Sequence, residues 1–168
     1  MGQPMAMDIE VVRSAKRKKT VSARVSDGVL KISIPSWMSR AEEAKWVDEM
    51  YRRFERRART SEIDLASRAR ALANKYDLPL PSSIKWSHNQ DDRWGSCTPD
   101  DGTIRISARL SREPLWVIDY VIMHELAHLV VASHNPKFWA IVERYPKTER
   151  ARGFLMAREL QPLRRSSR

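Results

Sequence analysis

From Asp8 to Ile34 apolar and polar positions alternate with a period of two: Ile9 and Val11, then Val21, Ala23 and Val25, then Leu30, Ile32 and Ile34. Alternation of this kind predicts three short strands, each with one face turned to a core. Asp27-Gly28, between the second and third, is a hairpin signal because both residues tolerate positive φ. Pro35 closes this region, and the apolar period then lengthens. Trp46, Val47, Met50, Tyr51 and Phe54 recur at helical spacing behind Ser39, a good N-cap, with Glu42 and Glu43 in the first turn where the helix dipole favours them. A helix is therefore expected from Arg40, and its stripe reads as a packing face. A second helix is expected from about Ser61 to Tyr76, stopping before the turn-rich Asp77-Leu78-Pro79-Leu80-Pro81.

Beyond those prolines the two-residue period returns in Ser83–Ser87 and again in Thr103–Ser107, with turns at Asp91-Asp92 and Asp100-Asp101-Gly102. Leu115 to Val131 reads as a helix opened by Pro114, and two short helices are expected after Pro136 and Pro146. The pattern fits one α+β domain over residues 1–168. It comprises an N-terminal β region (1–37), a helical segment (38–77), a region around the candidate site (78–163) and a basic tail (164–168).

Composition adds limits. The 168 residues are 42% hydrophobic and 31% charged, enough to bury one sizeable core. No apolar run approaches the length of a membrane span, and the first residues lack the basic start and apolar stretch of a secretory signal. Gly2 is not followed by the Ser or Thr of a myristoylation site, since Ala6 stands there. A cytoplasmic location is the expectation. One cysteine, Cys97, excludes an internal disulfide framework. The net charge of +10 attracts polyanions, nucleic acid among them, without specifying any. The densest run is Arg13–Lys19, with five basic residues in seven, which reads as a solvated turn or as a polyanion contact.

The chemistry concentrates in Val121-Ile122-Met123-His124-Glu125-Leu126-Ala127-His128-Leu129. Two histidines four apart on a helix share a face, one turn from each other, and can point at a common zinc ion. Glu125 is rotated off that axis, where its carboxylate can take a proton from water. Ile118, Ile122, Leu126 and Leu129 give the helix an apolar surface to bury. The competing reading is a pair of core histidines without metal.

A catalytic zinc ion usually takes three protein ligands, so a third donor is needed. His134 is the candidate, provided the helix stops before it, and Asn135-Pro136 supplies a reason: proline disfavours helical geometry at the preceding residue and suits the first position of a new helix. The spacing HExxHxxxxxH also occurs in metzincins, but Val131 replaces their glycine, which argues against their particular turn. Glu143 or Glu149 from a later helix is the alternative third ligand, while His88 and Cys97 each lack a spaced partner.

These segments, with Arg13 to Thr20, Arg93-Trp94-Gly95-Ser96-Cys97 and His134-Asn135-Pro136-Lys137-Phe138-Trp139, make the chain resemble the YgjP-like metallopeptidases, a family related to the SprT-like and WLM zincins. The resemblance covers most of the chain. It implies zinc on His124, His128 and His134, with Glu125 as the catalytic residue. It also implies a zincin-like fold in which a small antiparallel or mixed sheet packs against the motif helix, with the Arg93–Cys97 loop close to the site. A protein or peptide substrate follows, and the association of related families with DNA-crosslinked proteins gives the basic surface a reading.

In the expected mechanism Glu125 takes a proton from water and passes it to the leaving amine, and Arg93 and Tyr145 are candidates to stabilise the oxyanion. A second hypothesis makes the chain a basic nucleic-acid-binding module with a structural zinc. Against it, structural sites are normally closed by four ligands, often cysteines, and this chain has no CxxC pair.

Overall fold

The computed structural model describes residues 7–160, so the basic tail at 164–168 lies outside the described residues. These residues fall into two compact units, one up to Ala58 and one from Arg59 onward. Composition suggested a single core; each unit has its own buried cluster.

In the first unit the strands β1 (Asp8–Ser14), β2 (Ser22–Ser26) and β3 (Val29–Pro35) form a mixed sheet of order β1-β3-β2. β1 runs parallel to β3 and β2 antiparallel to it. The β2–β3 turn holds Asp27 at φ 53° and Gly28 at φ 76°, the double positive φ of a type I′ hairpin. Leu30, Ile32 and Ile34 point into the core with Met38 and Met50, as the alternation predicted. Burying each large side chain is worth roughly 1.5–3 kcal/mol. Helix α1 (Arg40–Glu62) opens with a capping box: Ser39 N–H donates to the Glu42 carboxylate at 3.0 Å and Glu42 N–H to Ser39 Oγ at 3.3 Å.

Where a second helix was expected to start near Ser61, α1 continues to Glu62 and the break falls at Asp64. Asp64 accepts from Ser67 N–H at 3.0 Å and so caps α2 (Leu65–Tyr76). The second sheet comprises β4 (Ser83–Ser87), β5 (Gly95–Thr98) and β6 (Thr103–Ser107) in the order β4-β6-β5. β4 is parallel and β5 antiparallel to β6, the arrangement of the first sheet repeated. Strand β5 is a correction, since the sequence reads as loop there. Gly-Ser-Cys-Thr has no large apolar alternation, and the segment becomes a strand only by pairing with β6.

A short 3₁₀ turn (Ala108–Arg112) leads to α3 (Leu115–His128), followed by α4 (Pro136–Val142) and α5 (Thr148–Leu160). Nine of the 14 residues of α3 are buried, so this helix, rather than the sheet, is the axis of the unit. Ile118, Ile122 and Leu126 are fully enclosed in one cluster with Ile104 and Ile106 of β6, Leu72 of α2, and Phe138 and Val142 of α4. The expected sheet-on-helix packing is present. Arg68 of α2 ties to the same helix through a two-pronged ion pair with Asp119, Nε to Oδ1 at 2.8 Å and Nη2 to Oδ2 at 3.1 Å. No helix among the described residues is long and apolar enough to cross a membrane.

Candidate metal centre

The last turn of α3 presents His124 and His128 one above the other, ring centroids 5.0 Å apart. The helix ends there: Leu129 N–H donates to Leu126 O at 3.1 Å and Val130 N–H to Ala127 O at 3.0 Å, tightening the chain out of α geometry. After this turn Asn135 sits extended at φ −87°, ψ 177°, the conformation the following Pro136 demands. Its Oδ1 accepts from Phe138 N–H at 3.1 Å and caps α4. The bend turns His134 back over α3.

The outcome is convergence. His134 Nε2 lies 3.0 Å from His124 Nε2 and 3.1 Å from His128 Nε2. Nitrogens each roughly 2.0–2.1 Å from one tetrahedral ion lie about 3.3 Å apart, so the donor set fits a zinc-sized cation with little adjustment. Among the described residues the three histidines form a group able to hold a metal ion, and the group has no fourth member. Glu143, Glu149, His88 and Cys97 stand outside it, and Glu149 is paired instead with Arg152 at 2.8 Å. Val131, where a glycine would stand in metzincins, does not prevent the return of His134.

Protonation suits the same role. His128 Nδ1–H donates to the Val131 carbonyl at 3.2 Å, which leaves its Nε2 lone pair facing the other two rings. Burial, and then the neighbouring His128 and His134, pull His124 down to about 3. Burial also lowers His128. Both imidazoles are therefore neutral and available as ligands near pH 7. The fully buried ring of Phe138 touches all three, with centroid distances of 4.8 Å to His124, 4.5 Å to His128 and 4.7 Å to His134. Trp139 lies nearly parallel to His134 at 5.9 Å. The packing role of Phe138 was not legible from its position after Asn-Pro, because it depends on where the bend sends the chain.

Glu125 is 5% exposed, next to the triad but off it. Burial pushes its carboxyl up to about 8, and Arg93 opposes the shift. Its neighbour is Gly95 on β5. A Cβ built on Gly95 would come within 2.9 Å of Glu125 Cγ and Cδ, and nearer still to Oε1.

The triad and Glu125 open into a cleft of about 740 Å³, bounded on one side by Arg93 to Cys97 and on the other by Arg152, Leu155 and Met156 of α5. The Arg93–Cys97 segment thus lies beside the site, as the resemblance implied. Trp94 is held there by its indole N–H donating to Glu159 at 2.7 Å and by the Arg109 guanidinium 4.0 Å above its ring. Of the two candidate oxyanion donors, Arg93 lines the cleft. Tyr145 does not: its hydroxyl donates to the Trp116 carbonyl at 3.0 Å, near the start of α3.

The model of the YgjP-like metallopeptidase domain matches residues 38–157. Among solved structures, the metallopeptidase zymogen of Pyrococcus abyssi abylysin is similar in fold, with a TM-score of 0.50 and 18% identity, over 55% of this chain and 91% of that one. No curated protein matches the chain.

Proposed function

Because the chain belongs to the YgjP-like metallopeptidase family, we propose that it hydrolyses peptide bonds with zinc held by His124, His128 and His134 and with Glu125 moving the proton. The observation that supports this most directly is the approach of three imidazole Nε2 atoms to within 4.8 Å of one another, beside a buried carboxyl. A zinc ion held there supplies Lewis acidity, acidifying water and polarising a carbonyl.

The remaining work belongs to the chain. Glu125 is held off the triad by the helix, so its carboxylate is free to act as base; a cation on the three imidazoles offsets the burial that otherwise keeps it protonated. Once it holds the proton, it delivers it to the departing amine from the same oxygen. Phe138 and Trp139 hold the rings in place and keep water from their apolar side. Arg93, within electrostatic reach of Glu125 and lining the cleft, supplies positive charge where negative charge develops on the scissile carbonyl. A structural role for the metal is disfavoured by the ligand set, which has three members among the described residues where a structural zinc would normally take four.

Metal analysis and a protease assay on the wild type, Glu125→Gln and His134→Ala test the assignment. Glu125→Gln should retain zinc and lose hydrolysis, whereas His134→Ala should lose both. Full peptidase activity in Glu125→Gln sinks the mechanism.

A further inference from the structure

The basic turn of the first unit is not used by the metal centre, and it is built rather than loose. Ser14 O accepts from Arg17 N–H at 3.4 Å and from Ser36 N–H at 3.1 Å, so the turn after β1 is stitched to the segment that follows β3. Arg13 adds two bonds across the same seam, to Ser36 O at 3.0 Å and Met38 O at 2.8 Å, and pairs with Glu43. That uses the charge of Arg13 internally. Lys16, Lys18 and Lys19 make no ion pair among the described residues, and residues 13–24 contain no acidic side chain to offset them.

Beside these lysines stands Trp37, 63% exposed. Its indole N–H donates to the Lys18 carbonyl at 3.1 Å. The polar edge of the ring is thereby satisfied by the turn itself, and an apolar face is displayed to solvent at a fixed place within a field of positive charge. A large ring that avoids burial while its only donor is pinned is a stacking platform in waiting. Cations that track phosphates next to an exposed aromatic face are the two elements by which unpaired nucleic acid is held without sequence preference. A duplex hides its base faces and offers phosphates alone, whereas an unpaired strand offers a base plane beside every phosphate.

We propose that the turn Lys16–Lys19 and Trp37 form a binding site for single-stranded nucleic acid, with a base stacked on Trp37 and neighbouring phosphates on the lysines. The site shares no residue with the metal centre and lies outside residues 38–157, which the family model covers.

Fluorescence anisotropy of the full chain with a labelled oligothymidylate, a duplex of equal length and heparin tests the site. Trp37→Ala should weaken oligothymidylate binding by roughly tenfold, the loss of one stacked base, and leave heparin binding unchanged. Trp37→Phe should retain most of the affinity. Lys18→Glu with Lys19→Glu should weaken both ligands and flatten the salt dependence, which for three phosphates on a single strand has a slope of about −2. Melting curves of each variant matching the wild type separate lost binding from lost folding. Equal affinity of Trp37→Ala and wild type for oligothymidylate overturns the proposal, as does binding of the duplex as tightly as the single strand.

Discussion

Gly95 on β5 and Glu125 on α3 are in such close approach that the glycine position has no room for a side chain: the carboxyl group of Glu125 occupies the space a Cβ would need. The glycine requirement therefore comes from the acid packed against it. Because the obstructing atoms are the far end of a flexible side chain, Gly95→Ala can be accommodated by rotating Glu125 away. Zinc content and melting temperature should stay close to wild type, while kcat falls by about 100-fold, the usual cost of misplacing a reacting group by an ångström. Unchanged turnover in a folded, metal-loaded Gly95→Ala protein would falsify the close-approach account.

Without metal, stability should depend on pH in a way that identifies the two buried groups. His124 has a folded-state value near 3 against an ordinary 6.5. The unfolded chain therefore takes up its proton first, and stability is lost as pH falls from 6.5 towards 3. Glu125 shifts the other way, to about 8 from 4.5. Its contribution is full below pH 4.5 and disappears as pH rises through 8. Between 4.5 and 6.5 the slopes oppose each other, so urea midpoints of chelated protein should form a plateau there and fall on both sides. Glu125→Gln removes the alkaline fall and turns the plateau between pH 4.5 and 6.5 into a rise; if its profile between pH 6.5 and 8 matches that of the wild type, the assignment of that limb to Glu125 is wrong.

The ion pair between Arg68 and Asp119 anchors α3 one turn and more before the first ligand. Both side chains are partly shielded, at 28% and 21% exposure, so water compensates only in part for a lost partner. Asp119→Asn should cost about 1–2 kcal/mol in urea unfolding, and a double-mutant cycle with Arg68→Ala should show coupling rather than additivity. Additive effects would mean that the pair contributes geometry without energy.

Features set by local chemistry were legible in the sequence. Alternation placed β1, β3 and β6, Ser39 as N-cap with Glu42 and Glu43 in the first turn placed the start of α1, and the four-residue spacing placed His124 and His128 on one face. Features set by long-range packing were not. β5 becomes a strand because β6 is beside it, and its Gly-Ser-Cys-Thr sequence lacks the apolar alternation that would announce it. Tyr145 was a candidate donor for the site, yet α3 places it at the opposite end from the histidines. Phe138 became the packing centre of the triad only once the bend had determined where α4 runs.

That bend is the point at which a local signal and the site meet, and it yields the sharpest test of the third ligand. His134 is held by no helix of its own; what orients it is the turn out of α3 and the capped start of α4 one residue later. Asn135 contributes twice, accepting from Phe138 N–H through Oδ1 and donating from Nδ2 to Ser133 Oγ at 3.1 Å. Asn135→Ala removes both bonds and should cost about 1 kcal/mol of stability. If the cap also positions His134, zinc affinity should fall by roughly tenfold, as for other residues that orient a ligand without touching the metal. Asn135→Asp keeps an oxygen for Phe138 N–H and should restore most of that affinity. Competition with a zinc-binding dye measures all three proteins, and equal affinity in wild type and Asn135→Ala would show that His134 reaches the cluster without help from the cap.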